Sequence, residues 1–211
     1  MKIAAIVMAV VLSAGAVLAG TTETELTSAN AQREETSFGD LTADALAAAA
    51  STTLAVVPAV SFKSGTIPAG EVTLAAVREL LTQPNETWAV VPLTGVELRE
   101  MLERSVSRAP QPNAGFLQVS GIDLYFDPNA PRNARITRLT VSDADVQPDA
   151  LYEVAMPLSL AKGGSGYFTI FREDDITRSG AGEMAQLLVD YVDQQGSVNR
   201  SGQNRIRTVP D

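Results

Sequence analysis

Phe116-Leu117-Gln118-Val119-Ser120-Gly121-Ile122-Asp123-Leu124-Tyr125-Phe126 is the stretch on which the fold turns. Leu117 and Val119, then Ile122, Leu124 and Phe126, recur at the two-residue period of half-buried strands, and Gly121 divides them. Before it, Thr94 with Glu97 three residues later is a capping-box pattern. It opens a predicted helix with Leu98, Met101, Leu102 and Val106 on its apolar stripe and a Glu100/Arg104 pair on its outer side. Residues 87–93 precede that helix as a predicted strand, and residues 134–141 and 152–156 follow as two more. Further upstream, Asp40 is placed to cap an alanine-rich helix through Leu41, Ala45, Leu46 and Ala49. Residues 54–57 read as a short buried strand, and Thr73 caps a helix carrying Leu74, Val77, Leu80 and Leu81. The last helix carries Met184, Leu187, Leu188 and Tyr191 and is stopped by Gly196, leaving residues 206–209 as a terminal strand. Helices alternate with strands early and strands cluster in the middle, so the expected class is α/β, a mixed sheet covered by helices.

The 211 residues carry 16 Lys plus Arg against 25 Asp plus Glu, a net charge of −9, with 45% hydrophobic residues. That composition builds a core, and its sign repels polyanions at long range, which argues against nonspecific nucleic-acid binding. Small anions remain possible at local sites. There is no histidine and no cysteine, so histidine general bases, Ser-His-Asp and Cys-His nucleophile systems, and His or Cys ligation of zinc are all excluded. Chemistry here would have to run on carboxylates, hydroxyls, lysine or arginine. Absence of cysteine also means that no disulfide contributes to stability.

Residues 1–19 read as a secretory signal peptide: Lys2, an uncharged apolar run, and Val17-x-Ala19 before the cleavage point. A retained anchor helix is the competing reading, because seventeen apolar residues sit near the lower limit for spanning a bilayer. With cleavage the expectation is a secreted or periplasmic protein without a stable membrane anchor. Residues 20–35 are polar, show no apolar period and read as a linker, and residues 36–211 form the domain.

Gly163-Gly164-Ser165-Gly166-Tyr167 is the densest glycine cluster. It reads either as a backbone that approaches a ligand closely or as a tight turn. Tyr167 and Phe168 behind it either present a ring to a base or sugar or fill the core. No nucleophile elbow, dinucleotide loop or Walker sequence fits. Glu173-Asp174-Asp175 and the Asp143, Asp145, Asp149 set read as solvated acidic bends, not metal centres. Lys63 lies in a loop where a cation could meet a phosphate or carboxylate. No metal or other cofactor is expected.

Taken together, Phe116 to Ile122, Ile67-Pro68-Ala69-Gly70-Glu71-Val72-Thr73, Leu93-Thr94-Gly95, Leu102-Glu103 with Ser105-Val106, and Gly163 to Tyr167 stand in the order and approximate spacing of a known family. The chain resembles the C-terminal domain of the secreted 5'-nucleotidase and UDP-sugar hydrolase family over about residues 35–207. The resemblance implies a four-layer α/β domain with mixed sheets that grips the nucleoside part of a substrate. In the family, a separate N-terminal metallophosphatase domain holds two metals and hydrolyses the phosphoester. No counterpart of that domain is expected in these residues, so the resemblance implies binding and supplies no catalytic residue. Catalysis by this chain alone is not expected.

By the same resemblance Tyr167 matches the second ring of an aromatic base clamp, after the loop Gly163, Gly164 and Gly166 in which Ser165 replaces the usual aspartate. Lys63 matches the arginine of the family's Asn-Gly-Gly-x-x-Arg loop, Arg33 lies one position from an upstream family arginine, and Glu173 falls near a ribose-binding carboxylate. The first clamp ring, in a Leu-Pro-Phe-Gly-Asn segment, aligns with Leu81-Thr82-Gln83-Pro84-Asn85, which holds no aromatic residue, and a family asparagine becomes Pro58. The implied function is a nucleotide- or nucleoside-binding module in nucleotide catabolism, working with a separately encoded metallophosphatase. The alternative is a structural or interaction domain that has kept the fold and dropped the ligand.

Overall fold

Gly121 is where the chain passes from one sheet to another. Its φ is +71°, and a Cβ there would run into the Thr53 carbonyl, so only glycine turns this corner without strain. The computed structural model describes residues 20–201 and 203–209, and the signal-peptide reading of residues 1–19 lies outside them.

The first half contains β1 (Thr21–Thr22), β2 (Leu26–Thr27), α1 (Ser37–Ala50), β3 (Leu54–Pro58), β4 (Thr66–Ile67), β5 (Gly70–Glu71), α2 (Leu74–Leu80), β6 (Trp88–Thr94) and α3 (Gly95–Val106). The second contains β7 (Leu117–Ser120), β8 (Ile122–Phe126), β9 (Ile136–Val141), β10 (Ala144–Asp145), β11 (Leu151–Pro157), α4 (Leu158–Ala161), β12 (Arg178–Gly180), α5 (Met184–Gln195), β13 (Ser197–Val198) and β14 (Ile206–Thr208). The central sheet has the order β12-β6-β11-β3-β7, parallel only at β11/β3. A second sheet, β10-β9-β8-β14, is parallel only at β14/β8. Helix α5 lies on α1, α1 lies on β3 and β7, and α3 lies between the central sheet and β9. The result is the expected four-layer mixed α/β architecture.

Local chemistry explains the helices. Thr94 and Glu97 form the full capping box at the start of α3. Leu98, Met101 and Leu102 are fully buried between the two sheets, each contributing about 1.5–3 kcal/mol of hydrophobic stabilisation. Alanines 43, 45, 47 and 50 are buried on α1, and their small side chains let the helix axis approach the sheet. Its cap, however, is Thr36, whose hydroxyl accepts from the Gly39 amide. Asp40 is not the cap; it lies inside the helix, 2% exposed.

Two other expectations are corrected. Strand β7 is buried on both faces, because Gln118 is enclosed: its carbonyl accepts from the Thr36 amide (2.8 Å) and its amide donates to the carbonyls of Ala31 (3.1 Å) and Glu34 (2.9 Å). Residues 20–35 are accordingly no linker. Leu26 is fully buried, β1 pairs with β5 and β13, and β2 pairs with β4. Polar side chains in this segment sit on two-residue strands, β1 between β13 and β5 and β2 against β4, too short for an apolar period to show.

Candidate functional site

The glycine loop is set by backbone geometry. After α4, Gly163 (φ +86°), Ser165 (φ +54°) and Gly166 (φ +84°) all take positive φ, and a Cβ on Gly163 would strike the Phe168 backbone. This double reversal delivers Tyr167 into the protein. Its hydroxyl donates to the Gly115 carbonyl at 2.7 Å, its ring stacks on Phe171 at 5.5 Å, and the Arg104 guanidinium lies over the ring at 5.4 Å. Tyr167 is 0% exposed, and burial pushes its phenol well above its ordinary range. The next ring goes the other way: Phe168 is 70% exposed.

Across the loop, Lys162 pairs with Glu173 at 2.6 Å; both are exposed, and such a pair contributes at most about 1 kcal/mol. Arg33 donates to the Pro110 carbonyl at 3.2 Å, on the segment that carries Gly115. Thus Arg33 and the glycine loop meet the same connection between α3 and β7. Lys63 is exposed and lies elsewhere, its amide donating to the Leu80 carbonyl and its carbonyl accepting from the Ser28 hydroxyl. Gln83, which the resemblance sets against the family's first clamp ring, lies in a turn that approaches the loop. Glu86 of that turn accepts from the Ser159 amide at 2.8 Å, and the Ser159 carbonyl is packed close against Gly164. Among the described residues no group of three carboxylates could hold a metal ion.

Beside the loop opens a cavity of about 650 Å³, lined by Arg104, Arg108, Arg132 and Arg135 together with Asn113, Ser165 and Tyr167, among others. Of these arginines the sequence singles out only Arg104, as the helical partner of Glu100. Their one legible signal as a group is that residues 104–135 hold four arginines and two acids in an otherwise acidic chain. Arg104 makes no ion pair with Glu100, because its guanidinium is held over Tyr167 instead.

A second charged cluster holds the C-terminal segment on α1. Asp44 accepts from the Ser120 hydroxyl at 2.6 Å, from both terminal nitrogens of Arg205 (2.8 and 2.9 Å) and from Arg200. Burial alone would raise its pKa, but the Arg205 hydrogen bonds and charge outweigh it and hold the carboxyl below its ordinary value. Asp40 nearby goes up to about 9, through burial first and the neighbouring Glu35 second, partly offset by Arg205.

The family model of the 5'-nucleotidase C-terminal domain matches residues 16–173. The chain belongs to that family. It is 29% identical over 121 residues to the snake venom 5'-nucleotidase of Naja atra, covering 53% of this chain and 22% of that protein. It is 28% identical over 130 residues to the human 5'-nucleotidase, covering 57% and 22%. Among solved structures, the 5'-nucleotidase precursor of Thermus thermophilus superposes with a TM-score of 0.82 at 26% identity, covering 92% of this chain and 40% of that one. The NAD nucleotidase of Haemophilus influenzae shares the fold, with a TM-score of 0.76 at 14% identity over 90% and 38% of the two chains. The chain thus spans about a fifth of the length of the curated relatives it matches.

Proposed function

We propose that this chain is an exported nucleoside- or nucleotide-binding module, serving nucleotide catabolism alongside a separately encoded metallophosphatase. The observation that carries the reading is the glycine loop of residues 163–166, whose positive φ values bring backbone and an aromatic pair to one place, in a chain of this family. Within that pair the rings divide the work. Tyr167, enclosed and hydrogen-bonded, anchors the loop, while exposed Phe168 offers the face on which a base stacks. Stacking of that kind contributes roughly 1–3 kcal/mol per base. Arg33 and Glu173 are the remaining polar candidates around the nucleoside, with Glu173 reaching a ribose once it leaves Lys162; Lys63, away from the loop, is not one of them.

The test is calorimetric titration of the purified chain with adenosine, AMP and a UDP-sugar, beside Phe168→Ala. Saturable heat that falls roughly tenfold or more in affinity in the variant supports the module. A second reading is favoured by the enclosure of Tyr167 and by Gln83 and Pro58 standing at positions of the family's ring and asparagine: a domain that has kept the fold without the ligand. That reading expects no heat from any of the three at millimolar concentration.

A further inference from the structure

The arginine-lined cavity holds a feature that base stacking leaves unused. Its lining contains four guanidinium groups and no carboxylate. The six ion pairs among the described residues take Arg78, Lys162, Arg178, Arg200, Arg205 and Arg207, and none takes an arginine of the cavity. With 25 acidic residues in the chain, four cations left out of every ion pair among the described residues is a specific arrangement, and their mutual repulsion calls for a counter-charge from outside.

The wall is also prepared for an anion. The C-terminal carbonyls of α3 would oppose one through their partial negative charge, but they are already engaged. Arg135 donates through Nη1 to the carbonyls of Val106 and Ala109, both at 2.7 Å, and through Nε to Ala130 at 3.2 Å. Asn113 donates to the carbonyls of Ser105 (2.7 Å) and Arg104 (3.4 Å). Glu103, the neighbour of Arg104 in the chain, is turned inward, accepting from the amides of Arg135 and Ile136. Arg135 is therefore fixed with Nη2 to spare, Arg104 rests on Tyr167, and the guanidinium groups of exposed Arg108 and Arg132 have no hydrogen-bond or ion-pair partner among the described residues.

We infer that this cavity binds a compact, multiply charged oxyanion of the phosphate class, from inorganic phosphate up to a tripolyphosphate chain. Guanidinium forks match phosphate oxygens in pairs, and the volume is in the range of small-ligand sites. The site shares only Ser165 and Tyr167 with the glycine loop, so it stands apart from the nucleoside reading. Free phosphates and the phosphate chain of a nucleotide are the two sources of this chemistry.

The experiment titrates the full chain, in a chelator and at low salt, with sodium phosphate, sodium tripolyphosphate, ATP and adenosine. It compares Arg108→Ala/Arg132→Ala with the charge-matched control Arg78→Ala/Arg178→Ala. The double cavity variant removes no internal side-chain hydrogen bond, and a thermal midpoint equal to that of the parent without ligand establishes that it folds. The site is expected to bind tripolyphosphate saturably, more weakly as salt rises, and about tenfold or more weakly in the cavity variant but not in the control. Competition by ATP supports a nucleotide source, and no competition supports a free phosphate. No heat with either phosphate at millimolar concentration, or equal loss in both variants, overturns the site. Adenosine heat without tripolyphosphate heat overturns it while leaving the nucleoside module standing; the converse supports it and removes that module.

Discussion

Replacing Asp40 by asparagine is expected to stabilise the protein, increasingly so as the pH rises. Asp40 is 2% exposed, its Oδ1 has no hydrogen-bond partner, and its pKa is pushed up to about 9 from 3.8. Between those values the folded chain keeps a proton that the unfolded chain releases. The contribution of this group is thus fully present below about pH 4, declines as the pH rises, and is lost by about pH 9. The slope is at most about 1.4 kcal/mol per pH unit, so roughly 3 kcal/mol between pH 6 and pH 8. Asparagine has the same shape and carries no charge at any pH, so the slope should vanish in Asp40→Asn. For a domain of this size 1 kcal/mol corresponds to about 2–4 °C in Tm. Thermal unfolding followed by circular dichroism from pH 5 to 9 should therefore show the variant gaining on the parent by several degrees across pH 6 to 8. A difference that stays constant with pH, or that turns against the variant at pH 8, would refute the reasoning.

Other perturbations probe different parts of the fold. Asp44→Ala leaves Arg200 and Arg205 buried without their counter-charge and should cost roughly 3 kcal/mol or more in urea unfolding. In the parent that interaction holds above the ordinary carboxylate range and weakens only as the pH falls through the lowered pKa of Asp44. Gly121→Ala should cost at least about 2 kcal/mol, since it forces a side chain into positive φ against the Thr53 carbonyl; urea midpoints unchanged from the parent would contradict the corner. Thr94→Ala removes the capping box of α3 and should lower Tm by about 2–4 °C, close to 1 kcal/mol.

What the sequence made legible was local. Thr94 and Glu97, Thr73, Gly121 and Gly196 act within a few residues of themselves, so the helix starts, the sheet-to-sheet corner and the final stop could be read directly. What it concealed depends on partners far along the chain. Asp40 has the composition of a cap, yet Thr36 takes that role because Gln118, eighty-two residues away, fixes its backbone. The 20–35 segment shows no apolar period because its strands are two residues long, and their backbone pairing with β4, β5 and β13 leaves no trace in side-chain type. At the glycine loop the positions were readable, but which of Tyr167 and Phe168 turns inward is decided by Gly115, Phe171 and Arg104. The four arginines are gathered into one cavity only by the packing of α3 against β9 and the loop before it.

The central claim, that this domain grips a nucleoside at the glycine loop, is tested most directly by titrating AMP into the isotopically labelled chain and following backbone amide resonances. The account expects saturable shifts at Gly163, Gly164, Gly166 and Phe168, with smaller ones at Glu173. Spectra unchanged at millimolar AMP, or shifts confined to residues away from this loop, would contradict it.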